Sequence, residues 1–217
     1  MGLRELKKEQ TRQLIAETAW RLFADRGFDR VTVAEIAREA QVAEATVFNY
    51  FPTKEDLFYS RLEAFGARLL EAISRREVGE PALVAFRRFI LGSGGLLAEL
   101  EAGNPEALER LRTVNRVIAA SPALRAREQQ AFARATDALA GLLAAETGGP
   151  ADDLRAYVAA NALMGVHRAL IDYSRRRVLA DDEPARLAAD VRRLGRRAFA
   201  LLEHGLGDYA VKPSKTP

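Results

Sequence analysis

The sequence contains no cysteine. That excludes a disulfide framework, a thiolate nucleophile and a Cys-ligated metal, and it fits a reducing compartment such as the cytoplasm. Histidine is nearly as scarce. His167 and His204 are the only two, no H-E-x-x-H occurs, and their separation does not suggest a metal pair. The one glycine-rich stretch, Gly92-Ser93-Gly94-Gly95, lacks both the preceding strand and the Lys-Ser/Thr of a phosphate loop. No apolar run approaches the ~18 residues of a membrane span. The opening MGLRELKKEQ is charged and carries no apolar signal segment. The expectation is therefore a cytoplasmic chain with no cofactor, no metal, no membrane partner and no enzymatic motif.

Helix formers fill the space that these absences leave. The 217 residues are 48% hydrophobic and 29% charged, an ordinary globular balance with room for one or two cores. Net charge is +3 with a pI near 9.4, a slight leaning toward nucleic acid. From Met1 to Arg61, however, ten Lys/Arg face ten Asp/Glu. Any nucleic-acid contact in that segment must come from local placement and not from bulk charge.

No strand pattern stands out, and Ala, Leu, Arg and Glu dominate. From Thr11, the residues Leu14, Ile15, Thr18, Ala19, Leu22 and Phe23 form one helical stripe, stopped by Gly27. Thr32 with Glu35 three residues on is a capping-box signature. It opens a short helix with Val33, Ile36 and Ala37 inside, ending near Ala40. A turn at Gln41-Val42 leads to a second short helix from about Glu44 to Tyr50, which Pro52 terminates. Thr53 with Asp56 starts a longer helix carrying Leu57, Phe58, Leu62, Phe65, Leu69 and Ile73. Further breaks fall at Gly79-Glu80-Pro81, Asn104-Pro105, Ser121-Pro122, Gly148-Gly149-Pro150 and Asp181-Asp182-Glu183-Pro184. The sum is an all-α chain of about nine helices.

Two short helices joined by a tight turn bury little alone. Their use is to hold one exposed helical face rigidly enough to enter a DNA major groove. The segment AWRLFADRGFDRVTVAEIAREAQVAEATVFNYFPTKEDLF carries LF-x-x-x-G-F, T-x-x-x-I-A, V-x-x-x-T-x-aromatic and F-x-x-K-E-x-L. In these motifs it resembles the DNA-binding domain of TetR-type bacterial regulators. The resemblance implies a helix-turn-helix DNA-binding domain over 8–58 (the motif itself about 32–51). A C-terminal ligand-binding and dimerisation domain over 59–207 and a frayed tail at 208–217 would follow. It also implies a homodimer on a palindromic operator of double-stranded DNA, acting as a repressor that a small-molecule effector releases.

Carried over by position, Thr32 resembles a phosphate-contacting N-cap, and Val33 follows it. Thr46 lies where the family reads bases or phosphates. Asn49 is the base-reading candidate, since Asn can bond adenine N6 and N7 together. Tyr50 resembles the aromatic whose hydroxyl meets phosphate, and Lys54 resembles the phosphate-binding lysine. Phe48 stands where relatives often have Tyr, so it either touches a thymine methyl or packs inward. Phe51 reads as core. Glu44 and Ala45 depart from the common basic and glycine residues. Positive charge is therefore expected from Lys54 and an N-terminal arm with Arg4, Lys7, Lys8 and Arg12.

In the second domain, two long amphipathic helices at about 152–176 and 183–205 resemble a family dimer interface. Their stripes are Leu154, Val158, Ala162, Gly165, Ala169 and Asp172, then Leu187, Val191, Leu194, Ala198 and Leu201. Ordinary intrachain core is the other reading of these stripes. For an effector pocket the candidates are Phe65, Phe86, Phe89, Leu97, Val114, Val117, Phe132 and Met164, with Arg112, Asn115, Arg116, Asn161 and His167 as polar groups. The run LRTVNRVIAASPALRAREQQ is similar to acyl-CoA-responsive members, which implies an acyl thioester or another amphiphile. Two other readings stay open to the sequence: an all-helical enzyme acting on a small amphiphilic substrate, and a DNA-binding protein with no effector.

Overall fold

The computed structural model describes residues 2–92, 100–150, 152–180 and 183–206. Ser93, Gly94, Gly95, Leu97, Asp181, Asp182 and the expected tail at 208–217 lie outside the described residues, as do the side chains of Arg4 and Leu62. Nine helices have their bounds inside them: α1 (Leu3–Arg26), α2 (Val33–Glu39), α3 (Glu44–Tyr50), α4 (Lys54–Ser74), α5 (Ala82–Leu91), α6 (Pro105–Ala120), α7 (Pro122–Glu146), α8 (Leu154–Leu179) and α9 (Pro184–Leu206). No β-strand occurs among the described residues, and no helix there is long and apolar enough to cross a membrane.

The punctuation read from the sequence acts as expected. Asn104 Oδ1 accepts from the Glu106 amide at 3.0 Å, and Pro105 takes the first helical position of α6. Ser121 does the same ahead of Pro122, with Oγ 3.5 Å from the Leu124 amide. Thr53 and Asp56 cap α4 reciprocally, both bonds at 3.1 Å. The start of α1 differs. It begins at Leu3 and not near Thr11, so the expected arm is helix and Lys7, Lys8 and Arg12 sit on it. The stretch before Thr11 is rich in Leu, Arg, Lys and Glu with no breaker, which favours helix without any apolar stripe.

The chain divides into two compact units, Met1–Phe65 with Thr113–Glu128, and Gly66–Arg112 with Gln129–Pro217. In the first, Ile15, Ala19, Leu22 and Phe23 of α1 pack with Ile36, Ala37, Val47, Phe51, Leu57 and Phe58. Leu14, read as part of the inner stripe, is exposed. Aromatic rings knit this core: Phe23 and Phe28 have centroids 5.0 Å apart, and Trp20 and Phe58 5.3 Å.

The segment around the α6–α7 corner completes the first unit. Val117, Ile118 and Leu124 are buried in its core. The buried Tyr59 hydroxyl donates to Leu124 O at 2.9 Å, and Ser121 Oγ donates to Asp29 at 3.0 Å.

The second unit is a helical core around Leu69, Ile73, Leu83, Phe86, Leu139, Leu143, Leu163 and Phe199. At Gly195 on α9 an added Cβ would lie 2.5 Å from Leu91 Cδ2, so α9 runs close against the end of α5 only because this residue has no side chain.

Candidate nucleic-acid interface and effector groove

The turn between α2 and α3 decides where α3 points. Gln41 is left-handed at φ 56, its amide bonds Arg38 O at 3.2 Å, and the Val42 amide bonds Ala37 O at 2.9 Å. This is a Schellman closure with glutamine where glycine usually sits. Val47 on α3 is then fully buried. With that anchor inside, Glu44, Ala45, Phe48 and Asn49 are exposed, at i, i+1, i+4 and i+5. Phe48 is 47% exposed, so of its two readings the outward one holds. Thr46 and Tyr50 are half-buried at the flanks, and Phe51 is core, with the Arg12 guanidinium 5.2 Å from its ring centroid. α3 carries no cation of its own.

Thr32 opens α2 as the capping box requires. Its Oγ1 accepts from the Glu35 amide at 3.2 Å. The Glu35 carboxylate accepts from the Thr32 amide at 2.8 Å and from its hydroxyl at 3.0 Å. Arg26 closes the other carboxylate oxygen at 2.8 Å. The Thr32 backbone bond, then Arg26 and the Thr32 hydroxyl, hold the Glu35 carboxyl down at about 2. The Thr32 hydroxyl proton is therefore committed within the cap. Val33 is half-buried behind it.

Lys54, the candidate phosphate ligand, is engaged inside the unit. Its Nζ donates to Phe28 O and to Val31 O, each at 3.0 Å, and lies 4.3 Å from the Phe28 ring centroid. Two of its three N–H donors are thus used.

In the second unit, α7 and α8 flank a groove of about 240 Å³. α7 contributes Gln129, Phe132, Ala133 and Thr136, and α8 contributes Tyr157, Asn161, Met164, Gly165 and Arg168. Among the described residues the lining has one cation and no carboxylate. Phe132 is its aromatic floor, with the Arg168 guanidinium 5.6 Å from its centroid and the His167 ring also at 5.6 Å. Burial pushes the His167 pKa down to about 4, so this imidazole is neutral near pH 7.

Of the pocket candidates read from the sequence, Phe132, Asn161 and Met164 meet here, and His167 stands behind Phe132. The other described candidates are not among its lining residues. Phe86 packs on Phe199 at 5.9 Å and Phe89 lies against the same core. Arg112 pairs with Glu109 at 2.6 Å. Phe65, Val114, Asn115, Arg116 and Val117 belong to the first unit, where Asn115 and Val117 are buried and Arg116 is exposed. Sequence reading missed Gln129, Thr136, Tyr157 and Arg168. The available signal was spacing: 129, 132, 133 and 136 form one helical stripe, and 157, 161, 164, 165 and 168 form another.

On α8, Leu154 is 72% exposed, and Tyr157 and Val158 are exposed beside it; on α9, Leu201 is 82% exposed. Of the two readings left open for the α9 stripe, dimer interface and intrachain core, Leu187 and Val191 follow the second and are buried in the core of the unit.

Two sequence families match this chain: bacterial regulatory proteins of the tetR family over residues 15–60, and the MftR C-terminal domain of the TetR type over residues 95–207. The second alone spans more than half of the chain, and the protein belongs to the tetR family of bacterial regulatory proteins. Among curated relatives, the transcriptional regulator TcmR of Streptomyces glaucescens is 29% identical over 157 residues, 70% of this chain and 67% of TcmR. The nucleoid occlusion factor SlmA of Pasteurella multocida is 29% identical over 127 residues, 58% of this chain; the match spans only 62% of that relative's length. In fold, the chain resembles NalD, the secondary repressor of the MexAB-OprM efflux pump in Pseudomonas aeruginosa. The TM-score is 0.56 at 20% identity, covering 88% of this chain and 97% of NalD.

Proposed function

We propose that this protein is a homodimeric, DNA-binding transcriptional repressor of the cytoplasm, released from a palindromic operator by a small-molecule effector. The observation that carries the reading is the outward face of α3. Glu44, Ala45, Phe48 and Asn49 project from a helix pinned by the fully buried Val47, behind a closed capping box at Thr32. A seven-residue helix so anchored suits insertion into a major groove. Asn49 reads a base, Phe48 meets a thymine methyl, and Glu44 accepts from a cytosine amine. Thr46, Tyr50 and the first turn of α2 at Thr32 and Val33 face the phosphates.

Dimerisation runs through the exposed apolar residues of α8 and α9 that lie outside the groove, Leu154, Val158 and Leu201. Ala169, also exposed on α8, permits close approach. Two copies then present their α3 helices to successive major grooves, ~34 Å apart on the duplex.

The α7–α8 groove favours an effector-responsive regulator over an effector-independent one. Its apolar floor and the Arg168 cation suit an amphiphile with an anionic head. An acyl thioester is the proposed class, in keeping with the similarity of the 111–130 run to acyl-CoA-responsive members.

The test is selection of bound duplexes from a random library by the purified protein, repeated with a panel of acyl thioesters. Enrichment of a two-fold symmetric site, lost when one thioester is added, is expected. Failure to enrich any sequence would overturn the proposal.

A further inference from the structure

We infer that Lys54 is a positioning residue that closes the helix-turn-helix at its base, and that its ammonium serves the recognition helix through the protein backbone and not through a DNA phosphate. The inference rests on the DNA-binding reading above.

Lys54 is the first residue of α4, just after the recognition helix and the Phe51-Pro52-Thr53 corner. Its two acceptors, Phe28 O and Val31 O, lie in the loop between α1 and α2. Val31 immediately precedes Thr32, the N-cap of α2. One side chain therefore joins the residue before the motif to the residue after it, and the whole excursion from Thr32 to Thr53 is pinned where it begins and ends.

Three features make this a built site. The two carbonyl oxygens are each 3.0 Å from Nζ, good geometry for charge-assisted bonds. Nζ also sits 4.3 Å from the centroid of Phe28, a ring buried in the core of the unit. Cation–π attraction thus fixes the ammonium against a part that cannot move without disturbing Phe23 and Phe58. Finally, α4 has its own cap from Thr53 and Asp56, so Lys54 is not needed to start that helix.

The physical consequence concerns order. α2 and α3 have seven residues each and are too short to hold their own orientation. Fixing both ends of the segment removes the hinge freedom that would otherwise let the Asn49 face swing. Loss of the pin would blur base readout first, since bidentate contacts demand orientation, whereas phosphate contacts tolerate it.

Lys54→Met keeps chain length and removes charge and donors. Its affinity should be measured against the duplex selected by the wild-type protein and against a random duplex, each over a salt series. The expected result is an affinity loss of about tenfold for the selected duplex, the scale of one good base contact. The random duplex should change less than about threefold, with the slope of log K against log[salt] unchanged.

Equal losses on both duplexes with the slope reduced by about one unit would identify a direct phosphate contact and overturn the inference. So would a variant that binds both duplexes like the wild type. Should Lys54→Met fail to fold, Lys54→Gln decides, since it keeps an N–H donor for one carbonyl and removes the charge. Reduced discrimination with an unchanged salt slope is expected, and equal losses on both duplexes with the slope reduced by about one unit would overturn the inference. A wild-type protein that selects no duplex would instead refute the DNA-binding reading itself.

Discussion

Arg127 of α7 places Nη2 2.5 Å and Nε 3.1 Å from one oxygen of Asp56, the residue whose other oxygen caps α4 by accepting from the Thr53 amide at 3.1 Å. One carboxylate thus ties the helix that follows the recognition helix to the α6–α7 corner of the same unit. Burial pushes the Asp56 carboxyl up, but the bonds from Arg127 and Thr53 outweigh it and hold the group below its usual value. Its contribution is therefore present above the ordinary carboxylate range and lost as pH falls through the lowered value. Arg127→Met should destabilise the protein by about 2 kcal/mol and move the Asp56 carboxyl upward from its lowered value, with only the Thr53 bonds left to oppose burial. Thermal unfolding across pH 3–7 checks both; an unchanged midpoint would show that the pair contributes nothing.

A second ion pair lies in the other unit. Arg76 is fully buried, with Nη1 and Nη2 at 3.0 and 2.5 Å from the two oxygens of Glu146, and it also donates to Ile73 O and Glu80 O. Glu146→Leu removes the carboxylate that both guanidinium nitrogens meet and should cost roughly 3 kcal/mol. Adding Arg76→Met should recover most of the loss, because both charges then disappear together. A double-mutant cycle by denaturant unfolding measures the coupling, and strict additivity would contradict it.

Asn49 is exposed on α3 and has no described partner of its own to lose. Asn49→Ala should leave stability unchanged within about 0.5 kcal/mol. On the selected duplex it should cost roughly 1–3 kcal/mol and relax preference at one base pair. Competition with single-base variants of the site reads this directly. Equal losses across all of them would show that Asn49 is not a reader.

His167 gives the second unit a pH dependence of known sign. Its folded pKa, about 4, lies below the ordinary value of 6.5 because burial disfavours the imidazolium. The unfolded chain therefore binds more protons between these values, and stability falls as pH drops from 6.5 toward 4. His167→Phe should flatten that part of the profile while keeping an aromatic ring beside Phe132. A profile unchanged by the substitution would show that other groups carry the acid transition.

Much of this was legible in the chain itself. Thr32 with Glu35, Thr53 with Asp56, Asn104 before Pro105 and Ser121 before Pro122 each mark a helix start, because a cap is chemistry between residues two or three apart. The buried faces of α1 and α2 were legible from spacing, apart from Leu14. The helix-turn-helix itself followed from two short stripes and a turn at Gln41-Val42. That glutamine would take the left-handed conformation was not legible, since the backbone usually reserves it for glycine.

What the sequence by itself determined was local: which segments are helices, where most of them begin, and that Val47 anchors α3 while Asn49 is offered to the outside; the outward turn of Phe48 and the start of α1 at Leu3 came from the structure. What only the tertiary structure decided was assignment between distant segments. It gave Val114, Asn115 and Val117 to the first unit, turned Leu187 and Val191 inward, set Arg168 beside Phe132, and spent Lys54 on the Phe28–Val31 carbonyls. A helical stripe says that a face will be covered, since apolar area must leave water. It does not say by what, because many faces of similar area compete for it, and only packing the whole chain at once settles which of them meet.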